Sequence, residues 1–159
     1  MKFIRKLFSF KRLLITSIIL LLVLNVFSFY GLYTHKFYLL EYDNYIFPIL
    51  SIVHFVYLYA LWFKTNENEP PDLPMRNTEY TLYFVFLIYV FKFLESIYIL
   101  STYDDFKNHY IPDTFLPIGI SLVVLYFFLL LITLVAFYYR KEKIGGFNFE
   151  DYNDIDSWK

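Results

Sequence analysis

Four apolar runs, at 13–33, 45–63, 80–101 and 115–139, constrain this chain more than any other feature. A bilayer core is crossed by about 20 mostly apolar residues in a helix, and each run is about that long. Lipid offers no partner for a bare N–H or C=O, so a spanning segment of this kind closes its own backbone hydrogen bonds as an α-helix. Composition agrees: 58% of residues are hydrophobic and 18% charged, against about 45–50% and about 25% in soluble domains. The expectation is an all-α integral membrane protein, a four-transmembrane-helix bundle at 13–139. A basic amphipathic segment, 1–12, precedes it, and a polar tail, 140–159, follows.

The first run follows "MKFIRKLFSFKR" and resembles a leader in layout. Its apolar stretch exceeds the usual ~7–15 residues, and no small-residue cleavage pattern follows it. It reads as a retained anchor. Pro48 and Pro117 fall in the first turns of the second and fourth runs, where a missing amide donor costs least.

Basic residues set the orientation. With the N-terminus cytoplasmic, eleven Lys and Arg residues lie inside, and only Lys36 and Lys107 lie outside. Both termini are therefore expected in the cytoplasm, which requires an even number of spans and agrees with four, with the protein multi-pass in the cell inner (plasma) membrane. The inner connection "KTNENEPPDLPMRNTE" is polar and proline-rich and is expected to be extended and solvated.

Two charges sit inside the third run, in "YVFKFLESIY". Lys92 and Glu95 are three apart and share a helix face. Ending that run before Lys92 would leave about 18 Å of helix, too short to cross, so the pair is expected at membrane depth. Counting from span ends places Lys92 and His54 roughly 13 Å below the outer edge, Asn25 roughly 12 Å and Ser121 roughly 9 Å. These four and Glu95 fall in one slab, with Tyr57, Tyr89 and Tyr98 able to join. A charge near the bilayer centre costs about 2.5–3.5 kcal/mol, so such a cluster is a site hypothesis by default. It would serve as interhelical glue, as a contact for a neighbouring subunit, as an ion or proton relay, or as a site for the polar group of a lipid, quinone or substrate.

Catalytic chemistry finds little support. There is no cysteine, which removes disulfides, thiolate metal sites and cysteine nucleophiles. A bis-histidine haem needs a second membrane histidine, but His35 and His109 read as outer-loop residues. Glu41, Asp43, Asp104, Asp105 and Asp113 share those loops. They match no ligand spacing and read as solvated acids, so no cofactor or metal is expected. No hydrolase or phosphate-loop motif occurs. The net charge of −1 offers no basic field for nucleic acid.

Membrane lipids and a protein within the membrane are the partners expected. Docking candidates are Pro70, Pro71 and Pro74 of the inner connection, and Phe147, Phe149, Tyr152 and Trp158 among the tail acids. The spans hold few small residues, and bulky Phe, Tyr, Leu and Ile suit packing more than sliding. The leading expectation is a non-catalytic accessory or structural subunit of a larger membrane assembly. A small oligomeric channel or ion/proton carrier using Lys92, Glu95 and His54 comes second, and a membrane enzyme or redox subunit with a lipid-soluble substrate comes third.

Overall fold

A computed structural model describes residues 9–106 and 111–147 of the chain. It contains four long helices: α1 (Phe10–Phe27), α2 (Ile46–Glu67), α3 (Leu73–Ser101) and α4 (Phe115–Lys143). Each is long and apolar enough to cross a membrane. The helices alternate in direction. α1 begins and α4 ends at one end of the bundle, here the terminal end; the opposite one is the hairpin end.

The helix limits depart from the apolar runs, and the reasons are local. α1 stops at Phe27 because residues 30–37 turn back on themselves. Tyr30–Gly31 pairs antiparallel with Lys36–Phe37 in a short ribbon. A Cβ at Gly31 would stand 2.6 Å from both Thr34 Oγ1 and Tyr38 Cε2, so a larger residue there would force those side chains to move. At the other end the connection between α2 and α3 is shorter than expected. α2 runs on to Glu67 and closes at Asn68, whose φ of 54° lets the Glu69 amide reach the Lys64 carbonyl at 3.1 Å. α3 begins at Leu73 rather than near residue 80. Asp72 caps it by accepting the Met75 amide at 2.9 Å, and Pro74 lies in the first turn. Only residues 68–72 remain between the two helices.

Around the bundle the order is α1, α2, α3, α4, with α4 closing back onto α1. Leu13, Leu21 and Leu24 of α1 meet Leu61, Leu82, Leu129 and Ile132 in a continuous core. Near the hairpin end Leu100 of α3 packs onto Gly119 of α4, where a Cβ would stand 2.6 Å from Leu100 Cδ2. α3 is the least enclosed helix. In its most apolar stretch 11% of residues are buried, against 33% in each of the other three.

Candidate functional site

The buried face of α2 carries a line of polar side chains: Ser51, His54, Tyr57 and Lys64. Their spacing follows the helical repeat, so all four point inward. Each is tied to a different part of the bundle. Ser51 Oγ and Asn25 Nδ2 of α1 are 3.0 Å apart, with Asn25 Oδ1 at 3.2 Å. His54 Nδ1 meets the Tyr89 hydroxyl of α3 at 3.4 Å, a long contact. Tyr57 donates to Glu79 Oε2 at 3.1 Å. Lys64 reaches Glu69 at 3.0 Å and Asp72 at 2.9 Å in the short connection. Interhelical hydrogen bonds of this kind fix helix rotation where hydrophobic packing alone is indifferent.

Glu79 is the centre of the strongest group. Its carboxylate is fully buried and takes a two-pronged approach from Arg140 of α4, Nε to Oε2 at 2.7 Å and Nη2 to Oε1 at 2.6 Å. Tyr83 donates to Oε1 at 2.7 Å. With Tyr57, these donors satisfy both oxygens. The paired fork is the geometry in which arginine binds carboxylate best. Arg140 Nη1 also donates to the Gly145 carbonyl at 2.9 Å, and the Phe147 ring lies 4.3 Å from the guanidinium carbon. One arginine thus holds α3, α4 and the start of the tail together.

Lys92 and Glu95 are paired at 2.7 Å, as their spacing requires. Their setting is different: the side chains are 36% and 39% exposed, between the buried and the outer faces of α3. Phe84, Leu87, Phe91, Leu94 and Tyr98 on the same helix are all exposed.

The residues expected in one slab do not join in one hydrogen-bonded group. Asn25 bonds Ser51, His54 meets Tyr89, and Lys92 pairs with Glu95. Tyr57 belongs to the Glu79 group towards the terminal end. Ser121 is exposed, and its hydroxyl bonds the Pro117 carbonyl of its own helix at 2.7 Å. His54 is fully buried, and its Nε2 makes no hydrogen bond among the described residues. Of the docking candidates, Pro70 is exposed, Pro74 is exposed in the first turn of α3, and Pro71 and Phe147 are half-buried. Phe149, Tyr152 and Trp158 lie outside the described residues.

Sequence reasoning missed Glu79 and Arg140 because both were assigned to solvent-facing segments. A signal was present: they occupy the same ends of two antiparallel runs, so they must lie at similar depth with opposite charge. At the hairpin end, His35 has a φ of 53°, and the hydroxyl oxygens of Tyr30 and Thr114 lie 2.6 and 2.9 Å from its Nδ1. That contact fastens the ribbon to the start of α4. Among the described residues no three His, Asp or Glu side chains gather as a metal site, while His109 lies outside them.

Comparison with protein-family models, curated proteins and solved structures finds no match for this chain.

Proposed function

We propose that this chain is a non-catalytic subunit of a larger membrane assembly. All four helices cross the cytoplasmic membrane with both termini on the cytoplasmic side, and the outer face of α3 docks on a transmembrane helix of a partner protein. The observation that carries the reading is the half-exposed Lys92–Glu95 pair on the least enclosed helix. In lipid each such charge costs about 2.5–3.5 kcal/mol near mid-bilayer, a cost that a covering helix with polar groups would reduce. Phe84, Leu87, Phe91, Leu94 and Tyr98 are exposed bulky side chains on the same helix, and they would supply the apolar part of such a contact. Lys and Arg asymmetry supports the orientation.

Isolation in mild detergent tests this. A stoichiometric companion is expected, and it is lost when Lys92→Met and Glu95→Gln are combined. Repeated recovery of the chain alone, or as a homo-oligomer, would sink the reading.

A proton or ion carrier is the second reading. It is favoured by the buried His54–Tyr89 contact. It requires flux in liposomes that Glu95→Gln abolishes.

A further inference from the structure

An apolar groove of about 350 Å³ runs between α1 and α2 at the terminal end. Its volume falls within the ~300–1,000 Å³ of ordinary ligand sites. The two helices are antiparallel, so Lys11 and Trp62 line its mouth, Ile15 and Tyr59 its middle, and Ile18 and Phe55 its far end. From Lys11 to Ile18 is roughly 10 Å of helix, enough to hold the upper part of one acyl chain. The charge at the mouth decides what kind of lipid fits. Lys64, the other lysine near this end of α2, is taken up by Glu69 and Asp72. Lys11 has no ion-pair partner among the described residues. An unneutralised ammonium beside an indole, at the edge of an apolar groove, matches a lipid phosphate.

We propose that this groove seats an anionic phospholipid, with one acyl chain between α1 and α2 and its phosphate on Lys11. The proposal rests on the membrane-spanning reading but is independent of the docking role given to α3. The chain's own charge makes the commitment specific: a zwitterionic lipid would fill the groove equally well but would gain less from Lys11.

The test uses the full chain reconstituted into vesicles of equal phosphatidylglycerol and phosphatidylcholine, with retained lipids counted by native mass spectrometry after gentle extraction. Phosphatidylglycerol should be retained about fivefold over phosphatidylcholine, the factor equivalent to ~1 kcal/mol per basic residue at an anionic surface. Lys11→Gln should remove that preference, Arg12→Gln should leave it, and Ile18→Trp should expel both lipids. No preference in the unaltered chain overturns the proposal. An equal loss in Arg12→Gln does so too, by showing a diffuse charge effect. A dimer dissociated by Ile18→Trp would assign the groove to a second copy and overturn it as well. Alkaline extraction of membranes separates the two levels: release of the chain would sink the spanning reading itself. A retained chain without lipid preference sinks this proposal alone.

Discussion

α3 carries one ion pair near each of its ends, and their settings are opposite. Glu79–Arg140 joins two helices across 61 residues of sequence, fully buried on the carboxylate side, with every carboxylate oxygen satisfied. Lys92–Glu95 joins neighbours on one helix and is partly exposed. The first ties two helices together; the second is a contact within one helix. Similar charges on one helix therefore serve different purposes, and burial separates them. A buried pair must be answered inside the fold, because an unpaired charge there is prohibitive. A pair on the outside leaves its surroundings to be supplied by lipid or by another protein.

The comparison is broken most directly at Glu79. Glu79→Gln or Arg140→Leu alone should lower stability by about 3–5 kcal/mol, since each strands the opposite charge. Replacing both with leucine should cost clearly less than either single change. Denaturant titration in micelles, followed by circular dichroism, gives both numbers; equal losses in single and double variants would refute an internally neutralised pair.

An intermediate case lies in the short connection, where Lys64 is buried and Asp72 is partly exposed. Burial works against the charged form of Asp72. The Lys64 ammonium and the Met75 amide outweigh it, holding the carboxyl below its ordinary value of 3.8. The folded state therefore favours the carboxylate. Its contribution is complete above that ordinary value and is lost as pH falls through the lower folded value. Asp72→Ala should cost about 1 kcal/mol near neutrality as a lost helix cap. Relative to Asp72→Asn, the advantage of the native residue should vanish in strong acid. A gap that instead widens on acidification would reverse the assignment.

Lys92 and Glu95 should matter little to the chain alone. Removing both charges should not lower the stability of the isolated protein in micelles, because charges at membrane depth carry their own cost. Retention of the companion protein should nevertheless collapse. A large stability loss in the isolated chain would erase the contrast with Glu79–Arg140.

The smallest effect is expected at His54. Its Nε2 is buried without a described partner, and its other nitrogen makes a long contact. His54→Leu should then be neutral or slightly stabilising, because removing an unmatched polar atom offsets the lost contact. Strong destabilisation would place His54 with Glu79 as an organising residue.

Local features were readable from the residues in order. Four helices long and apolar enough to cross a membrane follow from the runs themselves. The Lys92–Glu95 contact follows from a spacing of three along one helix. Helix ends were read less well, because apolar runs mark what lipid tolerates and not where the backbone turns. Asp72 and Asn68 mark α3 and α2 as longer than their apolar parts. That extension is what carries Glu79 into the bundle.

The partnerships were decided by the tertiary structure alone. Asn25 with Ser51, Tyr57 with Glu79, and Glu79 with Arg140 lie 26, 22 and 61 residues apart. The physical reason is rotational. A helix that is apolar on every side has no stripe to say which face turns inward. Only packing against its neighbours chooses that face, and with it which charges are answered within the chain and which are left on its surface.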